Sequence, residues 1–270
     1  MSIRQFRPKV NSRRGVGGFS KIWLSFLLAL LIALEIAYPL VNSLPLLWVT
    51  LSTVIVGAFF AFFDAKINYG SSFAVIFFAS TIIFGFLIEQ VGQVTNWPFG
   101  KYSYDSSLGF SLAKVPLIVP LAWVMMSYPV FIVSRRITKN WVFILGGFGL
   151  AAWDLFLDPQ MVRAGRWHWQ ITGARVPFEN NIPLSNFFGW LFSGMILMAL
   201  LHLILPKERR KKTERTKHTD FFILWVLFSG IVGNIFFFNS PGVAFIGGLA
   251  FLTFSIRYFY ISFLGIPDQN

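Results

Sequence analysis

Cysteine is absent from this 270-residue chain, which excludes disulfides, thiolate metal sites and a cysteine nucleophile. Histidine occurs only at His168, His202 and His218, far short of the clusters that membrane di-iron oxygenases need. Acids are scarce too, 11 against 23 Lys and Arg, and none forms the Asn-Asp-x-x-Asp pattern that holds Mg²⁺ and diphosphate. There is no Gly-x-Ser-x-Gly elbow and no zincin motif. The glycine-rich stretch from Gly15 follows no strand pattern, so it is not a dinucleotide fingerprint. No metal or redox cofactor is expected.

Charge of either sign is sparse, at 13% of residues or about half the share of a soluble domain. Hydrophobic residues make up 56%, aromatics 19%, and the mean hydropathy is +0.65. Apolar runs of roughly 18 residues or more recur along the chain, the mark of a polytopic membrane protein. The expected fold is an all-α membrane bundle of seven or eight transmembrane helices. They are placed near 20–41, 44–63, 72–91, 115–134, 141–158, 184–205, 220–238 and 242–261. The last two, joined by Asn239-Ser240-Pro241, read either as two spans or as a re-entrant pair. Residues 1–19 form a basic tail ahead of a single integral-membrane domain over 20–270. The first apolar run is too long for a signal-peptide core and has no evident cleavage site, so it reads as a retained span.

The net charge of +12 is concentrated in short segments between apolar runs. With the N-terminus inside, 18 basic residues fall on the inner side and five outside: Lys101, Lys114, Arg163, Arg166 and Arg175. That bias predicts cytoplasmic N- and C-termini in the cell membrane. The inner basic segments suit anionic lipids rather than nucleic acid. Loops 92–114 and 159–183 then share the outer face.

Those loops carry a repeated pattern. Glu89 is followed eleven residues later by Gly100-Lys-Tyr-Ser-Tyr104, and Asp154 eleven residues later by Gly165-Arg-Trp-His-Trp169. This is a duplicated acid-plus-aromatic helix–loop–helix unit. A carboxylate in hydrocarbon is costly and rarely kept without a use. Asp158, one turn beyond Asp154 on the same face, reads equally as a site group and as an interfacial acid meeting water or an arginine. Pro159 is expected to end that helix. Glu35, at mid-depth of the first span, reads as an interhelical hydrogen bond, with a supporting site role as the lesser alternative. Tyr102, Tyr104, Trp167 and Trp169 suit the membrane interface, yet their fixed distance from an acid also suits rings that face a carbocation. Pro183 is expected to open a helix with Asn186 one turn in, either bonding a neighbouring helix or orienting a carboxyl or a water. Arg166 and Arg175 are candidate partners for Asp158 or Glu179, or for lipid phosphate.

The runs Glu89-x-x-Gly92, Pro98–Tyr104, Val115-Pro-Leu and Pro120-Leu-Ala-Trp123 resemble the carotenoid 1′,2′-hydratase family. So do Trp153–Pro159, Gly165-x-Trp-x-Trp169 and Ile182–Trp190, and the similarity extends over about residues 75–200. The family includes bisanhydrobacterioruberin and γ-carotene hydratases. The doubled unit also resembles the small membrane lycopene cyclases. Both chemistries begin when an acid protonates a terminal isoprenoid double bond to give a tertiary cation. Water captures it in a hydratase, an internal double bond in a cyclase.

The resemblance implies a membrane-embedded carotenoid as substrate, no cofactor, and other carotenoid enzymes as neighbours in the membrane. It implies Glu89 and Asp154 as acid and base in an order left open, with Asp158 as a further catalytic candidate. Trp153, Tyr102, Tyr104, Trp167 and Trp169 would hold the cation, and Asn186 and His168 would position water. A proton-coupled transporter using Glu35, Glu89 and Asp154, and a non-catalytic scaffold, are the readings from other classes.

Overall fold

A computed structural model describes residues 18–206 and 217–264. The basic tail before Gly18 and most of the basic 206–219 loop lie outside the described residues. Eight helices run in order: α1 (Gly18–Ala37), α2 (Ser43–Tyr69), α3 (Ser71–Thr95), α4 (Ile118–Ile137), α5 (Val142–Arg163), α6 (Leu184–Ile204), α7 (Lys217–Val232) and α8 (Pro241–Leu264). A π-helical turn at Gly233–Phe237 lengthens α7. With it, all eight are long and apolar enough to cross a membrane. The seventh and eighth stretches, Lys217–Phe237 and Pro241–Phe263, each meet that length. The chain is a multi-pass membrane helix bundle.

The bundle is centred on α4 and α5, whose spans are 78% and 67% buried against 22–44% for the others. The outer helices expose Phe59, Leu87, Phe228 and Phe245, as side chains facing lipid do. α5 and α6 meet backbone to backbone: a Cβ on Gly194 would lie 3.0 Å from Gly147 Cα, and one on Gly147 would lie 2.7 Å from Met195 N. Small residues at such a crossing let two helices touch. Two turns along from it, α5 carries Asp154 and α6 carries Asn186.

Three expectations need correction. α2 continues to Tyr69 and turns into α3 at Gly70, so Lys66 lies in a helical last turn and not in a loop. α5 passes through Pro159 and ends at Arg163. The proline removes one N–H, the donor to Leu155 O, but the bonds on either side and the buried Met161 carry the helix another turn. Asp158 is therefore inside the helix and 3% exposed, and it meets Asn186 rather than bulk water or an arginine.

The all-α expectation also misses a ribbon. The aromatic pairs lie on strands β1 (Lys101–Tyr104) and β4 (Trp167–Gln170), which pair antiparallel with Tyr102 opposite Trp169 and Tyr104 opposite Trp167. Strands β2 (Ser111–Leu112) and β3 (Val115–Pro116) form a smaller hairpin beside it. Side chains alternate along a strand. The aromatic-x-aromatic spacing thus puts all four rings on the half-buried face, and Lys101, Ser103, His168 and Gln170 on the exposed one.

Candidate active site

The ribbon closes over the ends of α3, α4, α5 and α6, and every ring on its inner face meets an acid or another ring. Glu89, 4% exposed on α3, is the centre. Its Oε2 accepts hydrogen bonds from Tyr102 Oη at 2.5 Å and Tyr104 Oη at 2.6 Å; its Oε1 accepts from Trp123 Nε1 at 3.0 Å. Three donors converge on one carboxyl. Trp123 stacks on Trp190 of α6 with centroids 4.3 Å apart. Tyr104 meets Trp167 edge-on at 5.9 Å, and Tyr102 lies against Trp169 at the same distance. Trp169 Nε1 is used on Phe99 O, which ties β4 to the loop leading into β1.

Burial, reinforced by the adjacent Glu89 carboxyl, pushes both tyrosine hydroxyls far above the ordinary phenol value. They remain neutral donors throughout the working pH range.

A second acid centre faces the first. Asp154 and Asp158 occupy successive turns of α5, both 3% exposed, and Asn186 Nδ2 donates to both. The bond to Asp154 Oδ2 is 3.0 Å long. The Asp154 carboxyl and the Trp167 indole N–H are buried, and both lie beside the Asp158 carboxyl. A cavity of about 50 Å³ separates the centres, lined by Glu89, Asp158, Asn186, Tyr104, Trp167 and Trp123 among others. That is room for a few waters at about 10–15 Å³ each.

Beside it runs a larger groove of about 350 Å³ between α1, α2, α4, α5 and α7, the size of a ligand pocket. Val119, Ala122, Leu157 and Trp167 line both spaces and form their common wall.

The structure thus gathers Glu89, Asp158, Asn186, Tyr102, Tyr104, Trp167 and Trp169 around one small chamber. Asp154 backs it through Asn186. Trp153 belongs to the groove instead, where it packs against Phe222 and Phe251. His168 points the other way, exposed opposite Ser103. Glu179 pairs with Arg163 at 2.6 Å, not with Arg166 or Arg175. The Arg166 guanidinium reaches Ser107 Oγ at 3.3 Å, and Arg175 is exposed. Glu35 does bond between helices, accepting from Trp225 Nε1 at 2.5 Å. It sits near the C-terminal end of α1, not at its middle.

Three groups escaped the sequence reading. Trp123 and Trp190 complete the Glu89 surroundings, and only their place in apolar, aromatic runs of the motif set hinted at it. Asp64 lies at the opposite end of the bundle, buried, accepting from Tyr128 Oη at 2.5 Å and Thr219 Oγ1 at 3.1 Å. No local spacing signals that cluster. Among the described residues no group of three or more His, Asp or Glu could hold a metal ion.

No solved structure matches the chain. Among curated proteins it is 28% identical over 166 residues to the bisanhydrobacterioruberin hydratase of Haloarcula japonica, a match covering 58% of this chain and 55% of that protein. The chain therefore aligns with only about half the length of that relative. Residues 46–254, which include every site residue above, match the family model described as "carotenoid biosynthesis protein". By that match over most of its length, this multi-pass membrane protein belongs to the carotenoid biosynthesis protein family.

Proposed function

We propose that the protein adds water to the terminal C1′,2′ double bond of an acyclic carotenoid end group, by acid catalysis and without a cofactor. One observation carries this reading: two buried acid centres of different character face each other across a chamber sized for water. A ligand-sized apolar groove shares its wall.

The two centres suit different roles. Asp154 and Asp158 share one amide, and a single proton held between them relieves the repulsion of two carboxylates. Asp158, which lines the chamber, delivers that proton to C2′. Glu89 faces three donors and no acceptor, an arrangement for a carboxylate. It serves as the base.

The reaction then proceeds as follows. The end group enters from the groove past Leu157 and Trp167, and protonation at C2′ leaves a tertiary cation at C1′. The faces of Trp167, Tyr104 and Trp123 stabilise the cation electrostatically. A water in the chamber attacks C1′ and gives its proton to Glu89. The net change is one C–O and one C–H bond formed from one water and one double bond. Proton return from Glu89 to the aspartate pair through chamber water resets the site.

The antiparallel register of β1 and β4 pairs each aromatic of one unit with an aromatic of the other, as two copies related by a local two-fold axis would. This supports reading the doubled unit as a duplication whose halves diverged into base and acid. The basic segments are assigned to anionic lipid, and the termini to the cytoplasm.

The test is expression in a bacterium that accumulates lycopene or γ-carotene, with pigments analysed by chromatography and mass spectrometry. A product heavier by one water, lost in Glu89→Gln and Asp158→Asn, is the expected result. A product of unchanged mass with a shortened chromophore would replace hydration by cyclisation.

A further inference from the structure

The groove beside the acid chamber is mostly apolar. Thr50 and Thr53 line it, but their hydroxyls are taken up by Leu46 O and Val49 O of their own helix. The Glu35 carboxyl also lines it, and there only Oε2 is satisfied, by the Trp225 indole N–H. Among the described residues Trp225 is the partner of this carboxyl, and no hydrogen bond to Oε1 is present. Ser229, one turn beyond Trp225 on the same face of α7, adds a hydroxyl to the groove wall beside it. A carboxyl oxygen left open to an apolar groove lacks a partner that a bound molecule can supply, and leaving it unmet is costly.

We propose that the groove holds the polyene of the substrate, and that Glu35, with Trp225 and Ser229, recognises a hydroxyl group carried by that polyene. This rests on the proposed hydration, because the groove reaches the acid chamber through the shared wall of Val119, Ala122, Leu157 and Trp167. The hydroxyl donates to Glu35 Oε1 and accepts from Ser229 Oγ, while the Trp225 bond fixes the carboxyl from behind. Of the remaining polar groups on the groove, the Tyr38 hydroxyl is taken up by Gln160 O, and Gln160 belongs to α5 near Asp158 and so lies toward the reacting end. Glu35 is a specificity residue here; it touches the substrate away from the reacting double bond. A site built to bond a hydroxyl discriminates strongly against the analogue that lacks one, because its own polar groups are then left unmet.

The experiment is a binding titration of the full chain in nanodiscs, read by quenching of tryptophan fluorescence by the polyene. The probes are lycopene and a polyene of the same length carrying one hydroxyl along its chain, away from the C1′,2′ double bond, so that neither is the product of the proposed hydration. The wild type is expected to bind the hydroxylated probe about 10-fold more tightly or better. The ratio falls to about one in Glu35→Leu and keeps an intermediate value in Glu35→Gln, whose amide oxygen still accepts. Size-exclusion profiles establish that each variant is folded, and the wild-type ratio stands even if Glu35→Leu is not.

Equal binding of both probes by the wild type overturns the proposal, as does a preference that survives Glu35→Leu. Binding needs no turnover, so the two readings fail separately. A chain that shows the preference but forms no hydrated product overturns the reaction and leaves the groove assignment standing. A chain that hydrates without preference overturns the groove assignment alone.

Discussion

Gly92 lies one turn beyond Glu89 on α3, and a Cβ built there would sit 2.7 Å from Tyr102 Oη and 3.0 Å from Phe99 Cδ2. Ordinary contact begins near 3.4 Å, so Gly92→Ala pushes the Tyr102 hydroxyl back by about 0.7 Å or more. Its 2.5 Å bond to Glu89 would open to about 3.2 Å, at the edge of hydrogen bonding. Overpacking of this kind costs about 1–3 kcal/mol in stability. Losing a hydrogen bond to a charged group removes about 1.5–3 kcal/mol from the site. At about 1.4 kcal/mol per tenfold, hydration is expected to fall roughly 10- to 100-fold.

The control is a double-mutant cycle. Tyr102→Phe removes the closest atom, so Gly92→Ala should cost markedly less stability in that background, with a coupling of about 1 kcal/mol. Stability is read from thermal unfolding in detergent, and activity from product formed per unit of folded protein. Full activity in Gly92→Ala, or costs that simply add in the double variant, would refute the geometry assigned to Tyr102 and Glu89.

Asn186→Leu strands two buried carboxyls without their common donor; activity is expected to drop at least about 100-fold, with the unfolding midpoint lowered, while Asn186→Gln retains part of both. Tyr102 and Tyr104 have folded-state values raised above the ordinary phenol, so their contribution is fully present below about pH 10 and erodes as pH rises toward those values. An alkaline titration followed by tyrosinate absorbance should show fewer tyrosines ionising before unfolding in the wild type than in the denatured chain, and a deficit smaller by two in the Tyr102→Phe/Tyr104→Phe variant. Gly194→Val drives a side chain into Gly147 Cα and should separate Asp154 from Asn186, lowering stability by about 2 kcal/mol and activity with it. Thermal unfolding and product yield check it, and a stable, active Gly194→Val protein would contradict the close α5–α6 crossing.

The spans were legible because each is a long apolar run, and eight helices lie close to where the hydropathy put them. Their ends were less so. Pro159 sits mid-helix because one lost bond is outweighed by the buried turn that follows, which no local rule anticipates. Glu89 and its tyrosines were legible as a spacing, and Asp154 with Asp158 as an i,i+4 pair. The ribbon that sets Tyr104 against Trp167 joins segments more than sixty residues apart, and two aromatic-x-aromatic stretches do not announce that they pair. Strand alternation, once the pairing is known, also explains why His168 is turned away from the chamber while its neighbours on both sides face it. Trp123 reaches Glu89 from a helix 34 residues on, and Asp64 meets Thr219 across 155. Contacts at such distances are made by packing, which periodicity cannot read.

The central claim is that water from the small chamber ends up bonded to C1′ through acid catalysis by the two facing carboxyl centres. It is tested most directly by incubating the purified protein with an acyclic carotenoid in ¹⁸O-labelled water and measuring the product mass. The account requires a product carrying one ¹⁸O in a tertiary hydroxyl, formed by the wild type and not by Glu89→Gln or Asp158→Asn. An unlabelled isomer of the substrate, or labelled product from either variant, would contradict it.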